Sequence, residues 1–162
     1  MNSIVTMSFI SDLVNYINNK FEADDRLPSS RKPFGYSAFE RKIIKDTNKP
    51  YYVVQVIDNS PRDETFIDVS TLNVGVQIDV YALKGTFDKN EYFADVMASI
   101  YQDLISGYMT ELKYSGQNKN IRLMRKVSGT PSFPFEDGAK AYYATLRYDF
   151  TIMNKYTKIY NN

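Results

Sequence analysis

Cysteine and histidine are both missing from the 162 residues. Without them the chain has no thiolate nucleophile, no disulfide, no histidine-centred triad and no zinc site built on Cys or His ligands. A large share of enzyme chemistry goes with them. The lack of cysteine fits synthesis in a reducing compartment, and it equally fits proteins of extracellular particles that manage without disulfides. No stretch approaches the ~20 apolar residues that span a bilayer. Asp12 interrupts the only apolar run near the N-terminus, which also has no basic start, so neither a signal peptide nor a membrane association is expected. Phosphate-cradling glycine motifs are missing too: Gly75, Gly85, Gly107, Gly116 and Gly129 are isolated, with no G-x-G-x-x-G and no P-loop. A net charge of +1 from 20 basic and 19 acidic residues gives no overall field to concentrate nucleic acid or anionic lipid. Binding of that kind needs a local patch.

What is present is a strong alternation of apolar and polar residues. In residues 73–83, NVGVQIDVYAL, the side chains of Val74, Val76, Ile78, Val80 and Ala82 alternate with Asn73, Gln77, Asp79 and Tyr81. That period of two predicts a strand with one buried and one polar face. Residues 51–58, YYVVQVID, read as a second strand, bounded by Pro50 and by the turn signal Asn59, Ser60, Pro61. Residues 121–127 alternate as a third strand, followed by a loop over 128–138 that holds Gly129, Pro131, Pro134 and Gly138. Residues 140–153 form the last strand, with Tyr142, Ala144, Leu146, Tyr148, Phe150 and Ile152 on one face and Arg147 on the other.

Two stretches carry a helical period instead. Ile10, Leu13, Val14, Ile17 and Phe21 fall on one face of a helix over residues 3–21, with Ser11, Asp12, Asn15, Asn18 and Asn19 on a face read as solvated. A second helix is expected from a capping box at Asp88 and Glu91, through the stripe Phe93, Val96, Met97, Ile100, Leu104 and Ile105, to a C-terminal glycine at Gly107. It should seat on Val74, Val76, Ile78 and Val80. Between residues 22 and 50 the pattern breaks into a loop and then a short strand or turn of helix. The whole, 1–162, is expected to be one domain with its core in about 3–153, and residues 154–162 are either a frayed end or an arm that docks on a neighbour. The 43% hydrophobic and 24% charged fractions are those of a soluble globular protein and suggest neither disorder nor a membrane protein.

Each candidate for chemistry has a plainer reading that outweighs it. Ser29 and Lys32 match S-x-x-K, but the companion motifs are absent. Asp103, Glu111 and Lys113 faintly suggest a metal-dependent nuclease, in which two carboxylates hold Mg²⁺, but they fall at a helix end. Asp63 and Glu64 are neighbouring carboxylates in a loop and read as solvated. Arg41, Lys42 and Lys45 could meet phosphates, yet Glu40 and Asp46 dilute their field. The 14 tyrosines and 10 phenylalanines could stack bases, but many fall in strand-like runs where aromatic residues are common anyway. No catalytic group, cofactor or metal is expected.

The order helix, irregular segment, strand, strand, helix, strand, strand predicts an α+β fold. It is a mostly antiparallel four- to five-stranded sheet, covered on one face by two helices, with a long loop or hairpin insertion. On this pattern the chain resembles the lambda-type bacteriophage tail-terminator or tail-completion family. The resemblance rests on the first helix (Ile10 to Ile17), YYVVQVID, VGVQIDVYAL, the helix FADVMASIYQDL (residues 93–104) and the strand YATLRYDFTI (residues 143–152), and it covers about residues 3–153. It implies a structural virion protein and not an enzyme: a hexameric ring, made in the host cytoplasm, that caps the tail tube and stops its polymerisation. Its partners would be further copies of itself, the tail tube protein and the head-tail connector protein, with DNA crossing the lumen unread. The loop bearing Arg62, Asp63 and Glu64 and the polar strand face bearing Gln77, Asp79 and Arg147 are then the expected interfaces. Two alternatives stand beside it, another head-tail connector or stopper of the neck, and a small nucleic-acid-binding or nuclease domain.

Overall fold

The computed structural model describes residues 2–40, 50–61, 71–83, 91–114, 121–134 and 141–153. The basic cluster at Arg41, the loop of Arg62, Asp63 and Glu64, the cap at Asp88, the polar turn before Ile121 and the C-terminal arm lie outside the described residues. The elements are α1 (Asn2–Ala23), β1 (Phe34–Ser37), β2 (Tyr51–Pro61), β3 (Thr71–Leu83), α2 (Glu91–Tyr114), β4 (Ile121–Pro134) and β5 (Ala141–Met153). The five strands form one sheet in the order β1-β2-β3-β5-β4, in which only the β1–β2 pair is parallel. This is the α+β fold that the pattern predicts.

Both helices lie on one face of the sheet, α1 against β1 and β2, and α2 against β3, β5 and β4. The α1 stripe of Ile10, Leu13, Val14, Ile17 and Phe21 is buried, as are Val74, Val76, Ile78, Val80 and Ala82 of β3 and Ala144, Leu146, Tyr148, Phe150 and Ile152 of β5. Each large apolar side chain removed from water in this way contributes roughly 1.5–3 kcal/mol of transfer free energy. Phe21 joins the layers, edge-on to Tyr101 and Tyr108 of α2 and tilted against Tyr52 of β2.

Three boundaries differ from the sequence reading, each for a physical reason. Gly107 does not end α2. Tyr108, Met109 and Leu112 continue the apolar stripe into the core, and their burial outweighs the roughly 1 kcal/mol that a helical glycine costs. Strand β2 runs through Asn59 and Ser60 to Pro61, its register shifting by a bulge between Val56 and Asp58. Strand β4 runs through the expected loop to Pro134: its register shifts at 121/123, 126/128 and 130/133, the last passing over Pro131, while Gly129 stays paired opposite Leu146 and Pro134 opposite Tyr142. An outermost strand tolerates them. Beside the third irregularity, Gln102 of α2 donates to the Thr145 carbonyl at 2.7 Å.

The irregular segment after α1 is also tied down. Asp24 is buried and accepts from the Arg26 guanidinium at 2.8 and 2.6 Å, from the Arg26 amide at 3.0 Å, and from the Tyr108 hydroxyl. The Arg26 bonds hold its carboxyl well below the usual range. Tyr101 donates to the Arg31 carbonyl, and Lys32 Nζ donates to the Glu22 carbonyl at 2.6 Å, which leaves nothing of a serine-lysine pair at Ser29. Asn18, expected on a solvated face, instead clamps β1. Its Oδ1 accepts from the Gly35 amide at 2.8 Å and from the Tyr52 hydroxyl at 2.6 Å.

The Tyr52 ring lies so close over Gly35 that a Cβ there would fall 1.9 Å from it. Two glycine substitutions should therefore behave oppositely. Gly35→Ala is expected to destabilise the fold by roughly 1–3 kcal/mol through overpacking. Gly107→Ala, where a Cβ meets nothing within 4 Å, should stabilise it by roughly 0.5–1 kcal/mol. Urea unfolding followed by circular dichroism measures both.

Candidate functional site

The pairing of β3 with β5 runs without a shift from Thr71 opposite Met153 to Leu83 opposite Ala141. Side chains alternate along each strand, so this register decides what meets on the face turned away from the helices. Across that face Gln55, Gln77 and Arg147 form one row, Val53, Asp79 and Thr145 the next, and Tyr51, Tyr81 and Tyr143 a third. Phe34 of β1 extends the third row beside Tyr51.

In the polar rows the side chains hold one another. Gln77 Nε2 donates to both Asp79 carboxylate oxygens, at 2.9 and 3.2 Å, and Gln55 Nε2 donates to Oδ2 at 3.1 Å. A carboxylate only accepts, so each amide must turn its nitrogen towards Asp79. The Gln77 oxygen then points the other way, where it accepts from Arg147 Nε at 3.0 Å. The chain of bonds fixes the guanidinium at one end from a carboxylate at the other. Nearby, Arg125 pairs with Asp149 at 3.0 Å and Thr151 donates to Asn73 at 3.0 Å.

Asp79 lies on the face expected of it but is not a surface residue. Only 8% of it is exposed. Burial pushes its carboxyl above the usual range, against the opposing pull of the Gln77 and Gln55 bonds and the charge of Arg147. In the aromatic row, Tyr51 and Tyr81 stack at 4.7 Å and 20°, and Tyr81 and Tyr143 at 5.8 Å and 23°. Burial, with Asp79 adding to it, pushes the Tyr81 hydroxyl up to about 12.

Of the residues singled out in the sequence, Gln77, Asp79 and Arg147 are thus brought into one network, while Arg62, Asp63 and Glu64 lie outside the described residues. Gln55, Phe34 and the tyrosine row were not singled out. Gln55 sits on the polar phase of YYVVQVID, but only the pairing register reveals that it meets Asp79. Asp103 and Glu111 do not converge on a metal position: both lie on α2, and Glu111 pairs with Lys20. Among the described residues, no three His, Cys, Asp or Glu side chains gather where they could hold a metal ion, and no helix is long and apolar enough to cross a membrane. The network offers a carboxylate wrapped by amides and a guanidinium held in place, which suits contact with another surface.

The raised carboxyl has a definite pH signature. A group whose folded pKa lies above its unfolded value favours the folded state fully below the unfolded pKa, about 3.9 for aspartate. That contribution is lost as pH rises through the folded pKa. Asp79→Asn should therefore remove a decline in unfolding free energy above about pH 4, so the variant gains on the wild type between acid and neutral pH. Urea titrations at several pH values check it, and parallel profiles for the two proteins would contradict it. No protein-family model matches the chain, and no curated protein matches it.

Proposed function

We propose that the chain is a structural virion protein of the phage neck, a tail terminator. In this reading its copies form a ring on the tail tube, end tube polymerisation and meet the head-tail connector, while DNA passes through the lumen unread. The observation that carries the reading is the sheet face opposite the helices. Among the described residues it has no helix layer, and its side chains are already bonded and stacked to one another. Side chains ordered in advance lose little entropy on docking, which favours a broad, fixed protein contact. The fold agrees with the resemblance of element order, and the near-neutral charge of +1 suits a protein that lets DNA pass.

The aromatic row is the one feature that favours the nucleic-acid reading, since bases stack on such rings. Its geometry weakens that case. Tyr81 has a near-parallel ring on either side, so its faces are spent on Tyr51 and Tyr143.

Electron microscopy of the purified protein, and of tails assembled with and without it, tests the proposal. Rings at the head-proximal end of the tail tube, and tubes of uncontrolled length in its absence, are expected. A protein that stays monomeric at high concentration and forms no ring on tubes would remove the reading. Rings bound on the portal side would select a connector or stopper instead, and DNA binding with a steep salt dependence would select the nucleic-acid domain.

A further inference from the structure

The exposed charges of the described residues are mostly answered within the chain. Lys20 pairs with Glu111, Arg26 with Asp24 and Arg125 with Asp149. Two stand apart. Arg147 is exposed and bonded only through Nε, to Gln77, so its two terminal nitrogens meet no acceptor among the described residues. Asp103 is exposed on α2 and meets no cation there. It belongs to the outward stripe of that helix with Ile100, which is 36% exposed, Gly107 and Thr110.

These two groups cannot meet inside one molecule. Arg147 stands on the sheet face turned away from the helices, whereas Asp103 stands on the outer side of α2, with the sheet and the helix between them. They can meet between two copies. A guanidinium anchored at Nε presents its remaining N–H groups as a fork, and the shape and charge of that fork fit a carboxylate. Each charge also has apolar neighbours, Ile100 beside Asp103 and the half-buried tyrosine row beside the Gln77–Arg147 network.

Building on the ring reading, we propose that Arg147 of one copy binds Asp103 of the next, so that the sheet face of each subunit docks on the outer side of its neighbour's α2. Gln77 and Asp79 are positioning residues in this contact. The two surfaces differ and lie on opposite sides of the sandwich, so the contact is directional: repeated, it closes into a ring or runs on as a filament.

Sedimentation velocity of the purified full chain, with thermal unfolding as a fold control, tests the contact. Arg147→Asp and Asp103→Arg should each weaken self-association by roughly ten- to hundredfold; Asp103→Arg should leave the melting temperature nearly unchanged, whereas Arg147→Asp gives up the bond to Gln77 and is read against its own melting temperature. The double variant should recover most of the loss. Arg147→Lys, which keeps the charge and loses the fork, should also weaken assembly, and it remains informative if Arg147→Asp folds poorly. Single variants that assemble like the wild type, or a double variant that recovers nothing, would overturn the contact while leaving a wild-type ring, and with it the ring reading, in place. A wild type that forms no ring alone or on tail tubes would instead sink the ring reading beneath it.

Discussion

The unbroken register between β3 and β5 is the constraint on which both faces of the molecule depend. All 13 residues of β3 find a partner in β5. A slip of one position would turn Val74, Val76, Ile78 and Val80 away from α2 and drive Gln77 and Asp79 under it. The cost of burying those polar groups without partners is what holds the strands in place. The same register that builds the core on one side therefore aligns Gln77 with Arg147 and Tyr81 with Tyr143 on the other. Core and candidate interface are two readings of one pairing.

The two helices divide the sheet between them, and the junction is held by polar groups as much as by apolar ones. Tyr16 donates to the Tyr108 carbonyl at 2.7 Å, Tyr108 donates to Asp24, and Lys20 meets Glu111. Asp24 and Asp79 show how differently burial can act on one residue type. Asp24 is bonded by a guanidinium that holds its carboxyl low, whereas Asp79 is bonded by neutral amides, with Arg147 acting only at a distance, and burial pushes its carboxyl up. The first stabilises a chain reversal. The second sets the orientation of Arg147 on the neighbouring strand, through Gln77.

Much of this architecture could be read from residue patterns. The alternation in β3 and β5 and the spacing of Ile10, Leu13, Val14, Ile17 and Phe21 are local signals, and local signals survive in a sequence. What escaped depends on partners distant along the chain. Strand β1 is four residues long, and it exists because Asn18 bonds Gly35 and Tyr52 covers it. Asn18 therefore looked solvated. Gly107 carried a stop signal that the burial of Tyr108, Met109 and Leu112 overrules. Gln77, Asp79 and Arg147 were legible as a polar face, but the burial of Asp79 and the part played by Gln55 follow from cross-strand neighbours that no local pattern records.

The three irregularities along β4 bear on how the sheet ends. A long outer strand with a regular row of unpaired backbone groups is a template on which another chain can add a strand, and sheet proteins that leave one open tend to aggregate. Here Arg125, Lys126 and Val127 are exposed along a strand whose spacing is interrupted again and again. An incoming strand would find its partners out of step within a few residues. The register shifts, one of which lets β4 pass over Pro131, thus also blunt the margin of the sheet and make its edge a poorer template than its faces.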